Sequence, residues 1–213
     1  MAILEDISTL LQAGKAAKVK ELVTKALEDG VDPKSILEEG LLSGMAIIGE
    51  KFKNNEIFVP EVLVAARAMN AGVGILRPRL VEEGVEAKGT VVIGTVKGDL
   101  HDIGKNLVKM MLEGKGLNVV DLGVDVSPEA FVAAAKENNA KVICCSALLT
   151  TTMGEMKNVV EKAKEEGIRG NVKIMVGGAP ITQSFCDSIG ADYYTSDASS
   201  ASDVALAICS GNM

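Results

Sequence analysis

The sequence predicts two domains of different class: a helical bundle, then a doubly wound α/β domain built on a parallel sheet. Three observations carry this. The first eighty or so residues place apolar side chains at helical spacing and hold no strand-like run. A charged, glycine-punctuated stretch, Glu82-Glu83-Gly84-Val85-Glu86-Ala87-Lys88-Gly89, then interrupts the pattern. Beyond it, short β-branched runs alternate with amphipathic segments, which is the signature of strands and crossover helices. The domains are therefore placed at residues 1–88 and 89–213.

In the first domain, Leu4, Ile7, Leu10 and Leu11 recur at helical spacing, and Val19, Leu22, Val23, Ala26 and Leu27 do so again before Gly30. Asp32-Pro33 reads as an N-cap followed by proline at the first helical position. The helix it opens carries Ile36, Leu37, Leu41, Ile47 and Ile48 to about Phe52. Val59-Pro60-Glu61 starts another, running through Val62, Leu63, Ala66 and Met69 toward Leu80, and Pro78 is expected to kink or shorten it. Four segments with short connections predict an antiparallel four-helix bundle.

In the second domain, Thr90 to Val96 is a β-branched run suited to a strand buried on both faces. A helix follows from about Ile103 to Glu113, then a strand over Asn118 to Leu122 and a helix opened by Ser127-Pro128-Glu129. Lys141 to Ser146 and Lys173 to Val176 read as strands, each followed by a helix, at about Met153 to Glu166 and Thr182 to Ile189. Asp192-Tyr193-Tyr194 supplies a fifth, short strand, and Ala198 to Ser210 a final helix. Ligands of such sheets bind beyond the carboxyl ends of the strands. The loop holding His101, the segment after Ser146 and the pair Gly177-Gly178 all fall at that edge.

Composition narrows what the edge binds. A net charge of −7 and no interleaving of aromatic with basic residues exclude a typical nucleic-acid surface. The acidic N-terminus, Met1-Ala2-Ile3-Leu4-Glu5-Asp6, lacks the basic start of a secretory signal. The longest apolar stretch, around Val142 to Leu149, is too short to span a bilayer, so no membrane partner and a cytoplasmic location are expected. Cys144, Cys145, Cys186 and Cys209 form no C-x-x-C pair and read as small hydrophobic residues in a reducing compartment. Neither phosphate-cradling pattern fits: Gly94, Gly98 and Gly104 miss the dinucleotide spacing. Gly98 and Gly104 also enclose five residues where a P-loop needs four.

His101 is the only histidine. Flanked by Asp99, Asp102, Gly98 and Gly104, it is well placed to bind a metal through a neutral imidazole. One protein ligand cannot hold a bare ion, so the remaining coordination must come with the metal, as from a macrocycle. The run Asp99-x-His101-x-x-Gly104 is followed by 41 residues (105–145), Ser146-x-Leu148, 28 residues (149–176) and Gly177-Gly178.

That arrangement resembles the cobalamin-binding domain shared by methionine synthase, some mutases and methyltransferase corrinoid proteins. The resemblance implies a Rossmann-like (flavodoxin-like) five-stranded cobalamin-binding domain, in which dimethylbenzimidazole leaves the cobalt and His101 takes the lower axial position. Asp99 would be the partner of His101 on its other nitrogen, and the relay would continue to Thr152, where the family has serine; Thr150 and Thr151 offer alternative hydroxyls. The nucleotide tail would enter a tunnel lined by Ser146, Leu148, Gly177 and Gly178. Gly98, Leu100, Asp102, Ile103, Gly104 and Thr150 would also contact the cofactor.

The stretch Gly49 to Glu61 with Ala65-Ala66-Arg67-Ala68-Met69 resembles the methylcobalamin cap of methionine synthase, with Phe52 and Val59 at the positions that shield the upper face of cobalt. The whole chain is thereby similar to a stand-alone corrinoid protein, a non-catalytic methyl carrier cycling between methylcob(III)alamin and cob(I)alamin. Such proteins serve methylamines, methanol or methoxylated compounds in methanogens and acetogens. The implied partners are a substrate-specific methyltransferase, a second corrinoid-dependent methyltransferase acting on tetrahydrofolate or coenzyme M, and a reductive activase. The cap would swing aside about residues 82–89. Two alternatives stay open: a cobalamin-dependent sensor, which would want a basic or signalling domain, and the small subunit of a cobalamin mutase, which the helical cap disfavours.

Overall fold

The computed structural model describes residues 2–213. The chain divides into two compact units: residues up to Ala87 together with Gly114–Gly116, and Lys88–Glu113 together with Leu117–Met213.

The first unit is helical. It comprises α1 (Ala2–Gln12), α2 (Ala16–Glu28), a continuous run from α3 (Pro33–Ser35) through a π-helical stretch (Ile36–Leu42) into α4 (Ser43–Lys53), and α5 (Val59–Glu82). Asp32 caps the third helix as its sequence demands, accepting from the Ser35 N–H at 2.8 Å. Glu61 reaches back to the Phe58 N–H at 3.1 Å, which closes the start of α5. The core is made of one buried stripe per helix: Leu4, Ile7 and Leu11; Val19, Val23 and Ala26; Leu41, Met45 and Ile48; Val62, Ala66, Met69 and Leu76.

The π-helical stretch coincides with a close crossing. A methyl group on Gly40 would lie 3.2 Å from Ile7 Cγ2, and one on Gly44 would lie 3.1 Å from the Ser8 carbonyl oxygen. Helix periodicity does not distinguish a π turn from an α turn, so the sequence reads here as one plain helix. Pro78 does not shorten α5, which continues to Glu82. By length and composition α5 could cross a bilayer, although the longest apolar run lies elsewhere. Its buried residues Val62, Ala65, Ala66, Met69 and Leu76 make it a core helix of the bundle.

The second unit is a parallel sheet, order β2-β1-β3-β4-β5. Its elements are β1 (Thr90–Thr95), α6 (Ile103–Gly114), β2 (Asn118–Asp121), α7 (Pro128–Glu137), β3 (Val142–Ser146), α8 (Gly154–Glu165), β4 (Lys173–Gly177), α9 (Gln183–Ile189), β5 (Tyr193–Tyr194) and α10 (Ala198–Cys209). Val91, Ile93, Val142, Cys144 and Met175 share one core with Leu112 of α6 and Ala201 and Ala205 of α10. Val92, Ile143, Cys145, Ile174 and Val176 share the other with Phe131, Met156, Val159 and Cys186 of α7, α8 and α9. Alternation along each strand thus feeds two covered faces. Three of the cysteines are buried, and burial pushes the Cys144 thiol up to about 12, consistent with hydrophobic packing.

The order reverses direction between β1 and β3, the switch point where doubly wound sheets take ligands. The register sets Thr95 beside Ser146 and Ser146 beside Gly177, so one row of residues crosses the carboxyl edge.

Phe131 is fully buried between α7 and the sheet, and its ring lies where a side chain on Gly94 would go. Phe131→Ala should lower unfolding free energy by about 3–5 kcal/mol, read by urea titration. A loss under about 1 kcal/mol would show that this core does not hold the sheet.

Candidate functional site

The site is built from the loops that follow β1 and β3. The first loop carries Gly98, Asp99, Leu100, His101 and Asp102 into the start of α6. Gly98 turns the chain with φ +80°, a conformation that favours glycine, and its N–H donates to Asp125 Oδ1 at 2.7 Å. The turn drives Asp99 fully inside.

Asp99 is the hub. Its Oδ1 accepts from His101 Nδ1 at 2.7 Å and from the His101 backbone N–H at 3.1 Å. Its Oδ2 accepts from the backbone N–H groups of Leu148 at 2.8 Å and Leu149 at 3.1 Å. The Thr152 hydroxyl lies 2.9 Å from both Asp99 Oδ2 and the Leu149 carbonyl, and its single proton serves one or the other. Burial by itself would raise the Asp99 pKa. The imidazole and the N–H groups of His101, Leu148 and Leu149 outweigh it and hold the carboxyl well below the usual range. An ionised carboxylate only accepts, so Nδ1 carries a proton, and in the neutral tautomer this leaves the lone pair on Nε2. Nε2 makes no hydrogen bond among the described residues, and half of the imidazole side chain is exposed.

The apolar side chains exposed around the two loops suit a large, partly apolar ligand. Leu100 is 71% exposed and Ile103 78%, and Leu148 and Leu149 are exposed on the facing loop. Among the described residues no cluster of three or more His, Cys, Asp or Glu side chains is placed to hold a metal ion, so a metal on His101 must bring its other ligands. Gly177 and Gly178 differ in kind. A methyl group on Gly177 would meet nothing within 4 Å, which leaves an opening beside Ser146. One on Gly178 would overlap the Ala147 carbonyl oxygen, and φ there is +135°, so this glycine is required by the backbone itself.

The remaining residues named from the sequence fall into two groups. Asp102 is exposed at the end of the first loop and Gly104 in the first turn of α6, and Asp102 accepts from the Asn106 amide at 3.0 Å. Thr150 is exposed, as is Thr151, whereas Thr152 is buried against Asp99 and its methyl approaches Gly98. Ser146 is half-buried at the end of β3. Phe52 and Val59 belong to the helical unit, at the end of α4 and the start of α5, and both are half-buried.

Sequence reading missed the groups behind the loop. Lys105 is buried, with Nζ 2.6 Å from Asp121 Oδ1, and Lys109 lies 3.2 Å from Oδ2. Burial would raise the Asp121 pKa, but Lys105, the Gly123 N–H and Lys109 lower it. Thr95, also buried, donates its hydroxyl to the His101 carbonyl at 2.8 Å. Apart from its closeness to the histidine motif, nothing in Thr95 distinguishes it from any strand threonine.

The B12 binding domain family matches residues 89–203, and a second B12 binding domain family matches residues 3–77. Trimethylamine corrinoid protein 1 of Methanosarcina mazei is 49% identical over 176 residues, covering 82% of each chain. Dimethylamine corrinoid protein 2 of Methanosarcina acetivorans is 46% identical, covering 93% of this chain and 92% of its own. Among solved structures, a chain of the methanol:cobalamin methyltransferase complex MtaBC from Methanosarcina barkeri has TM-score 0.89 and 33% identity, over 99% of this chain and 80% of that one. A cobalamin-binding protein from Desulfitobacterium hafniense has TM-score 0.77 and 29% identity, over 94% and 96%.

A carboxyl with a depressed native pKa contributes its full stability above the ordinary value of 3.8 and loses it as pH falls toward the native one. Asp99→Asn should therefore be less stable than wild type at pH 7, by urea unfolding, with a gap that narrows below pH 3.8. A gap that stays constant across that range would contradict an ionised, stabilising Asp99.

Proposed function

The chain belongs to the B12-binding corrinoid protein family, and on that premise we propose that it carries a methyl group on the cobalt of a corrinoid between two methyltransferases. One observation supports His101 as the metal ligand above the rest. The only histidine stands at the sheet's switch point with Nδ1 tied to a buried carboxylate and Nε2 without a hydrogen bond among the described residues, on a loop that exposes apolar side chains. A metal-ligating imidazole is oriented in just this way.

The bound corrinoid supplies the cobalt that accepts and releases the methyl group. The chain's residues hold and orient it. Asp99, backed by Thr152, keeps the imidazole proton on Nδ1 and fixes the ring, which would suit a base-off, His-on mode. Leu100, Ile103, Leu148 and Leu149 offer the macrocycle an apolar seat. The opening at Gly177, with Ser146 and Gly178 beside it, would take the nucleotide tail. Gly98, Asp102 and Thr150 of the two loops, with Gly104 in the first turn of α6, would complete the contacts. By the resemblance to the methylcobalamin cap, Phe52 and Val59 would shield the bound cobalt, since a reduced cobalt and its methyl bond last longer with water and oxidants excluded.

The carrier role calls for a substrate-specific methyltransferase, a second one acting on tetrahydrofolate or coenzyme M, and a reductive activase. Relatives named for tri- and dimethylamine support a methylated amine as the methyl source.

Cobalamin added to the protein should bind with its dimethylbenzimidazole displaced and a histidine on cobalt, read from the absorption spectrum. Changes behind a metal ligand cost ~10–100-fold in affinity, so His101→Ala should weaken binding at least about tenfold and abolish the His-on spectrum. Unchanged spectrum and affinity would overturn the assignment. The shield has its own test: cob(I)alamin on Phe52→Ala should be oxidised several-fold faster by dioxygen, and equal rates would remove Phe52 from that role.

A further inference from the structure

The geometry points to Thr95 as a positioning residue for the cobalt ligand, acting on the backbone of His101 rather than on its ring. The inference rests on the reading of His101 as that ligand.

His101 lies in a loop outside any helix or strand, so no regular ladder fixes its peptide groups. Two hydrogen bonds do so instead. Its N–H donates to Asp99 Oδ1 at 3.1 Å, and its carbonyl accepts from Thr95 Oγ1 at 2.8 Å. With both peptides held, the direction of the Cα–Cβ bond is set, and Asp99 then sets the ring. Asp99 alone would leave the carbonyl side free to rotate, and the ring nitrogen would sweep an arc away from a fixed metal.

Thr95 is suited to this because it cannot move. It is fully buried at the end of β1. Its N–H donates to the Gly123 carbonyl at 2.9 Å, and its carbonyl accepts from the Val126 N–H at 3.0 Å. The loop that provides both partners is pinned in turn: the Gly123 N–H donates to Asp121 Oδ1 at 2.9 Å, and Asp121 is held by Lys105 and Lys109. The Lys105–Asp121 ion pair is thus connected to His101 through Gly123 and Thr95. Positioning to within a fraction of an ångström through such supporting bonds is what a preorganised metal ligand needs.

The test is competition for cobalt. Protein loaded with cob(II)alamin should show an electron paramagnetic resonance triplet from the 14N of His101. Titration with [15N2]imidazole replaces it by a doublet as the exogenous ligand takes over. Thr95→Val keeps the shape of the side chain and removes the donor. It should lower the imidazole concentration at half-replacement about two- to tenfold, the range spanned by one neutral hydrogen bond. Thr95→Ser should restore the wild-type value, and Thr95→Ala serves in place of valine if that variant does not fold. A wild-type midpoint in the valine or alanine variant, or no recovery in the serine variant, would overturn the positioning role. Absence of the triplet from the wild type would instead overturn the ligation itself.

Discussion

A buried aspartate with no lysine or arginine paired to it among the described residues needs a dense set of donors, and Asp99 has one. Four N–H groups and a shared hydroxyl converge on its two oxygens. Leaving such a carboxylate unpaired in the interior would cost several kcal/mol, so the loops that supply the donors must adopt the conformation that brings them in. The donors come from two places far apart in sequence, the loop after β1 and the loop after β3. The same bonds that keep Asp99 ionised therefore lock the two loops together across the switch point. They also decide the imidazole tautomer, which leaves Nε2 available to a metal.

The fold makes this possible by register. Parallel pairing sets Thr95, Ser146 and Gly177 in one row, so the loops that follow leave the sheet side by side. Gly178 then packs against the backbone of Ala147, while Gly177 leaves space at the edge. The histidine is held from three directions: its ring by Asp99, its N–H by Asp99 again, and its carbonyl by Thr95. Rigidity on the protein side would serve the ligand role proposed for His101.

Much of this was legible in the sequence. Strand and helix boundaries in the α/β unit follow from β-branched runs and from N-caps at Ser127 and Thr182, because alternation and capping are local signals. The partners Asp99 and His101 are two residues apart, so their pairing was readable; Thr152 is fifty-three residues from Asp99, and only family likeness brought it in. The π-helical stretch was not legible, since the glycines that coincide with it act through contacts with α1. Neither were Thr95 and the Lys105–Asp121 pair, which gain their meaning from tertiary neighbours. The two glycines of Gly177-Gly178 looked alike in sequence, and only the structure separates the one that the backbone requires from the one that leaves room.

The central claim is that the single histidine of the chain ligates cobalt, and that singleness permits a direct measurement. Protein made with [15N]histidine and loaded with unlabelled cob(II)alamin should show its axial superhyperfine pattern as a doublet, where unlabelled protein shows a triplet. A triplet in both samples would mean that the cofactor's own base, and not His101, remains on the metal.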